Sequence, residues 1–213
     1  FRSFIIAIVK HKKIPVLTQF FNFYVSFMRG TPILVQLYLT FYGIPILLQY
    51  INYYQGTAYS TNSIPPVLFV IIAFAFNEAA YSSESIRAGL EAVDKGEQEA
   101  ALSMGMSPLQ TFFRITLPEA LVIALPALGN SLVGLIKGTS LAFTCAVVDI
   151  TAAGKIMASR NYRYFEGYIS VALIYWAMTI IISWLLKKLE KKLKADEQEV
   201  TDDVESMSLE KEI

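Results

Sequence analysis

Apolar residues gather into four long runs, at about 32–51, 65–86, 119–149 and 168–186, separated by shorter polar stretches. Each run is near or beyond the ~20 residues a helix needs to cross a bilayer. The pattern predicts an all-α membrane protein. A shorter apolar run at 4–9 (F-I-I-A-I-V) cannot span by itself. It reads as the end of a truncated first membrane helix, assigned to residues 1–10, because the chain opens on Phe1 inside apolar sequence. Residues 11–194 make up the rest of the membrane domain. Residues 195–213 are acidic and polar and are expected to form a disordered tail.

Between the short run and the first full span, residues 20–27 are aromatic-rich and amphipathic. Two readings fit: a helix lying along the membrane interface, or the buried start of the next span. Pro32 opens that span, where proline is tolerated because the first helical N–H groups lack partners anyway. Pro45 interrupts it, and residues 52–64 read as an uncharged loop.

The second span is apolar at first, but Asn77, Glu78, Glu84 and Arg87 fall in its second half. Insertion scales assign a charge at a helix centre a cost of roughly 2.5–3.5 kcal/mol, so each such group needs a reason. Glu84 and Arg87 are three positions apart, and Arg87 and Glu91 four, spacings that place partners on one helix face. They predict a structural ion pair near a membrane interface. Glu78 lies two turns deeper with no cation at helical spacing, so it is expected to face a bundle interior or an aqueous path.

Pro126, Gly129, Gly134 and Gly138 punctuate the third run and predict a broken helix of the kind that lines transporter sites. Asn130 and Lys137 lie two turns apart on it, and Thr139 and Ser140 follow directly. A lysine here either meets an anion or snorkels to an interface.

The polar interruption at 91–118 has its own punctuation. Gly105 can close a short helix over 97–104, since glycine adopts the left-handed C-cap conformation without steric cost. Ser107-Pro108-Leu109-Gln110 then restarts a helix, with serine as N-cap, proline at the first helical position and glutamine placed to complete a capping box. Pro118 is expected to mark the far end.

Composition narrows the function. Of 213 residues, 54% are hydrophobic and 17% charged, against about a quarter charged in soluble domains. The formal net charge of zero gives no footing for a nucleic-acid partner. A single cysteine, Cys145, excludes an intrachain disulfide, and a single histidine, His11, excludes a histidine-based metal cluster. There is no phosphate-cradling G-x-x-x-x-G-K-[ST] loop and no Ser-His-Asp set. The chain is therefore expected to bind no cofactor of its own and to draw energy from a partner ATPase or an ion gradient.

Lysine and arginine positions set the orientation. Lys10, Lys12, Lys13 and Arg29 precede the first full span, the 52–64 loop has none, and the 91–118 loop adjoins Arg87 and contains Lys95 and Arg114. Lys187, Lys188, Lys191, Lys192 and Lys194 follow the last span. Alternation puts the 91–118 loop and the C-terminus in the cytoplasm, with 150–166 outside.

Glu99-Ala100-Ala101, three residues, Gly105, nine residues, then Ile115-Thr116-Leu117-Pro118 resembles the EAA loop of ATP-binding-cassette importer permeases. Arg29-Gly30-Thr31-Pro32 with Gln36, and Ala80-Tyr81 with Glu84 and Arg87-Ala88-Gly89, are similar to segments of the polar amino acid branch. The run from Pro126 through Asn130 to Lys137-Gly138-Thr139-Ser140-Leu141-Ala142 resembles the family's fourth helix.

The resemblance implies a type I permease with a five-helix core, its first helix largely missing from this chain. It implies that Glu99, Ala100, Ala101, Gly105, Leu117 and Pro118 couple to a cytoplasmic ATPase dimer, which holds ATP and magnesium. The other implied partners are a second permease subunit, identical or paralogous, and an extracytoplasmic amino acid-binding protein, which Arg160 and Arg163 either contact or leave for solvent. Asn77, Glu78, Asn130, Lys137, Thr139 and Ser140 are expected along the substrate path, Lys137 taking a carboxylate and Glu78 or Asp149 an ammonium. Lys137–Phe143 and Ala172-Leu173-Ile174-Tyr175-Trp176 look most like cystine permeases. The rival is an ion-coupled secondary carrier with Glu78 as its ion site, which the lack of an internal repeat disfavours.

Overall fold

A computed structural model gives the backbone of residues 2–11, 14–59 and 64–210, and the side-chain environments of residues 3–11, 14–59 and 64–193. Lys12 and Lys13, four residues of the 52–64 loop and the last three of the tail lie outside the described residues. Among the described residues the structure is helical throughout. In chain order the helices are α1 (Arg2–His11), α2 (Leu17–Gly30), α3 (Ile33–Gln55), α4 (Pro66–Ala92), α5 (Lys95–Ser103), α6 (Pro108–Thr111), α7 (Leu117–Gly138), α8 (Ile150–Asn161) and α9 (Tyr164–Glu210). A π-helical turn, Phe112–Thr116, joins α6 to α7, and a 3-10 segment, Thr139–Cys145, extends α7. Four stretches are long and apolar enough to cross a membrane: Ile33–Gln55, Pro66–Ala92, Pro108–Cys145 and Tyr164–Leu193.

The four runs match these spans, but several punctuation marks do not act as expected. α3 passes through Pro45 and takes in residues 52–55 of the expected loop. α4 extends to Ala92, one and a half turns past the expected end, which carries the Glu84–Arg87–Glu91 ladder on a single helix. α7 is continuous through Pro126, Gly129 and Gly134, and the change of helix type comes only at Gly138. In a membrane-spanning helix, neighbouring helices and local adjustments re-satisfy the groups that proline and glycine would free. α9 continues to Glu210, so the stretch assigned to a disordered tail carries on the helix up to that residue.

α4 is the hub. Among the described residues its buried positions enter each of three apolar cores: Ile86 and Leu90, with Val93 just past its end, against Ala7 and Ala120; Val70 and Ala73 against Leu37, Ala142 and Cys145; and Ala80 against Ile6 and Val25. The first core requires close approach. A Cβ at Gly89 would lie 2.3 Å from the Ala120 carbonyl oxygen, so only glycine lets α4 and α7 meet there. α8 and α9 form a hairpin by the same device, since a Cβ at Gly154 would lie 2.3 Å from Val171 Cγ2. Small residues at crossings are the usual way for membrane helices to approach.

α2 settles the two readings of the aromatic stretch. It is a separate helix, ended at Thr31, that lays Val25 on α1 and α4 and leaves Phe20, Phe23 and Phe27 exposed.

Candidate functional site

Two regions carry chemistry, and the first is the loop between α4 and α7. Asp94 caps α5 by accepting from Gly96 N at 2.9 Å, a cap that the expected start at Glu97 missed. At the other end Gly105 N donates to Leu102 O (3.0 Å) and Met106 N to Ala101 O (3.2 Å). With Gly105 at φ +87°, this is the paired-bond termination in which glycine reverses the chain. Two residues on, the capping box forms in full, Ser107 N donating to Gln110 Oε1 (2.8 Å) and Gln110 N to Ser107 Oγ (3.3 Å).

Pro118 does not end the helix that follows. The π turn before it lets Leu117 N reach back to Phe112 O, and the chain runs on as α7 with Pro118 in its first turn. In a regular α-helix the proline ring collides with the carbonyl four residues back. A π turn placed directly before it widens the helix there, and such turns recur at functional sites.

Within this loop Glu99, Ala100 and Gly105 face outward, whereas Ala101 is only 4% exposed and packs inward. Leu117 is half-buried and Pro118 exposed. Sequence reasoning passed over the apolar residues that share the outer surface. Met104 is 86% exposed, and Leu102, Leu109 and Phe113 are exposed beside it.

Above the loop stands an ion network. Arg87 donates from Nε and Nη2 to Glu84 Oε2 (3.1 and 2.9 Å) and from Nη1 to Glu91 Oε1 (2.6 Å). The expected Glu84–Arg87 pair is therefore present, and Lys10 of α1 joins it through Glu84 Oε1.

The second region lies where the turn between α2 and α3 meets α4 and α7. Gln36, 4% exposed, donates from Nε2 to Met28 O (2.8 Å), Thr31 O (3.1 Å) and Thr31 Oγ1 (2.8 Å). Asn77 Nδ2 donates to Gln36 Oε1 (3.0 Å) and Met28 O (3.2 Å). These bonds give the Arg-Gly-Thr-Pro-x-x-x-Gln run a physical meaning, because the glutamine amide folds back to hold the turn that precedes it. Beside this node is a cavity of about 510 Å³ lined by Arg29, Thr31, Asn77, Glu78, Tyr81 and Ser131, among others. Glu78 accepts from Ser82 Oγ at 2.6 Å, and the Arg29 guanidinium lies 5.3 Å from the centre of the Tyr81 ring.

The other residues expected along the path, from α7 and the 3-10 segment, do not line this cavity. Asn130 lines a different groove, with Ser183, Lys187 and Glu190 of α9. Lys137 and Thr139 are exposed, the Thr139 hydroxyl donating to Ile136 O at 2.6 Å, and Ser140 is half-buried; none of the three lines the Glu78 cavity. Asp149 caps α8 through Thr151 N and Ala152 N and accepts from the Tyr175 hydroxyl, so its carboxylate is already engaged. Helical spacing put Asn130 and Lys137 near one another, but the cavity is reached through Ser131, Gly134, Leu135 and Gly138.

The chain belongs to the family of binding-protein-dependent transport system inner membrane components, whose model matches residues 3–195. It is 43% identical over 189 residues to the probable amino-acid permease protein YxeN of Bacillus subtilis, covering 89% of this chain and 80% of that one. Over 195 residues it is 37% identical to the L-cystine transport system permease protein TcyL of the same organism, covering 92% and 79%. A crystal structure of an amino acid ABC transporter with histidines superposes with a TM-score of 0.76 at 36% identity, covering 90% of this chain and 83% of that one. The fold is that of type I ABC importer permeases. The chain is a multi-pass membrane permease subunit of amino acid transport, not itself an enzyme. Its system includes a separate ATPase and a substrate-binding protein.

Proposed function

We propose that this permease imports a polar amino acid, with L-cystine the leading substrate, and that the 91–118 loop couples it to a cytoplasmic ATPase. The observation that carries the coupling role is α5: nine residues, capped at both ends, presenting Glu99, Ala100, Leu102 and Met104 outward. A helix of that length, about 13 Å at ~1.5 Å per residue, fits a cleft on a partner. Gly105 lets it turn back sharply, while Leu117 and Pro118 anchor the return to α7. ATP and magnesium stay on the partner, and this chain holds neither.

The lysine-rich flank after the last span supports a cytoplasmic C-terminus, and the uncharged 52–64 loop supports the opposite side. A second permease subunit, a copy or a paralogue, completes the path. Asn77 and Glu78 line this protomer's part of it, and Asn130, Lys137, Thr139 and Ser140 extend it toward the second subunit. Cystine is favoured by Lys137–Phe143 and 172–176 and by kinship with an L-cystine permease.

The test is uptake of labelled L-cystine into vesicles holding the permease, its ATPase and the binding protein, with and without ATP. ATP-dependent uptake, lost in Gly105→Arg and outcompeted only by cystine, is the expected result. ATP-dependent uptake of another amino acid alone would overturn the cystine assignment. Uptake that follows the proton gradient and ignores ATP would overturn the coupling role.

A further inference from the structure

The cavity beside α4 holds two opposite charges that do not neutralise each other. Arg29 enters from the end of α2 and Glu78 from α4, and among the described residues no ion pair joins them. Arg29 lies over Tyr81, and Glu78 accepts from a neutral hydroxyl, Ser82. Both are held in place: the Asn77–Gln36 node ties Met28 and Thr31, on either side of Arg29, to the helix that carries Glu78. Glu78 is twelve residues from the start of α4, or about 18 Å along the axis at ~1.5 Å per residue. That is well inside a hydrocarbon layer ~30 Å thick. Charges at such depth are costly and are retained where they face a pathway or a ligand.

The cavity's volume, about 510 Å³, falls in the ~300–1,000 Å³ range of small-molecule sites. Gly134 lines it as well, and an added Cβ there would meet nothing within 4 Å, so the space beside it is open.

We infer that this cavity reads the dipolar head of an amino acid, Arg29 taking the α-carboxylate and Glu78 the α-ammonium, and thereby selects substrates of zero net charge. Arginine's planar fork suits a carboxylate, and the Glu78 oxygens accept from an ammonium. Once both charges are matched, a third charge on the substrate has no partner in a site of low polarity, which is the costly arrangement. L-glutamine meets the condition; L-cystine, which carries two ammonium–carboxylate heads, meets it only with its second head outside the cavity, and L-arginine and L-glutamate do not. The inference rests on the amino acid reading above and adds Arg29, in place of Lys137, as the carboxylate partner.

The test is equilibrium dialysis of labelled L-glutamine and L-cystine with the solubilised permease–ATPase complex, without the binding protein, so that only the permease discriminates. The competitors are L-glutaminamide, which lacks the carboxylate, N-acetyl-L-glutamine, which lacks the ammonium, L-arginine and L-glutamate. All four should compete at least tenfold more weakly than the unmodified neutral amino acids. Arg29→Gln should erase discrimination against the amide and Arg29→Lys should retain part of it, while Glu78→Gln should erase discrimination against the N-acetyl compound.

Head-modified or net-charged compounds that compete as well as L-glutamine on the unaltered complex would overturn the inference, whatever the variants do. Absence of binding with ATP-dependent uptake intact would overturn it equally and leave the amino acid reading standing. Loss of ATP-dependent amino acid uptake by the unaltered complete system would instead sink that reading.

Discussion

Lys10 and Glu84 are 74 positions apart, yet the Lys10 ammonium donates to one Glu84 oxygen while Arg87 holds the other. One carboxylate thus ties α1 to α4 at the end of α4 that leads into the 91–118 loop. The Lys10 and Glu84 side chains are only 10% and 16% exposed.

Removing one member of a buried ion pair costs ~3–5 kcal/mol, because the other is left uncompensated. Glu84→Ala is expected to fall at the lower end of that range, seen as a lower thermal midpoint of the solubilised complex. Glu84→Gln keeps an acceptor and should lose less. An unchanged midpoint for Glu84→Ala would show that Lys10 and Arg87 find other partners.

Gly89→Ala should fail where Gly43→Ala succeeds. The first drives a Cβ to 2.3 Å from the Ala120 carbonyl oxygen, and the second meets nothing within 4 Å. Both exchanges favour the helix by roughly 0.5–1 kcal/mol of intrinsic propensity, so the difference isolates the α4–α7 contact. Membrane expression and monodispersity of the two variants, side by side, read it directly.

Gly105 offers a cleaner test of the loop. A Cβ there meets no atom within 4 Å, so the cost of Gly105→Ala is conformational, about 1–3 kcal/mol for a left-handed non-glycine residue. ATP-dependent uptake should fall in Gly105→Ala and recover in part in Gly105→Asn, because asparagine tolerates that region. Equal uptake in all three would remove the turn at Gly105 from the coupling route.

Gln36→Leu should destabilise by ~1–3 kcal/mol, the cost of leaving buried polar partners without a donor. Asn77→Leu should cost less, and the double variant less than the sum of the two, since they share the Met28 carbonyl and one mutual bond. Thermal midpoints of the four proteins give the cycle. Strict additivity would break the node into independent contacts.

The sequence determined much of what depends on neighbours a few positions away. The four spans follow from runs of apolar residues, and the capping box at Ser107–Gln110 and the turn at Gly105 from local hydrogen-bonding chemistry. The Arg87 contacts to Glu84 and Glu91 follow from the three- and four-residue spacing of a helix. Tertiary structure decided the rest, because its causes lie far apart in the chain. Lys10 reaches Glu84 across 74 positions and Asn77 reaches Gln36 across 41, and no periodicity encodes either. Pro118 looked like an end and prolines 45 and 126 like interruptions, but packing and one π turn carried the helices past them. Lys137 was expected along the path on the family resemblance, yet α7 turns Ser131, Gly134 and Gly138 to the Glu78 cavity, where Arg29 is the lining cation. Helix phase about its own axis is set by what packs on each side, and that information lies in the fold.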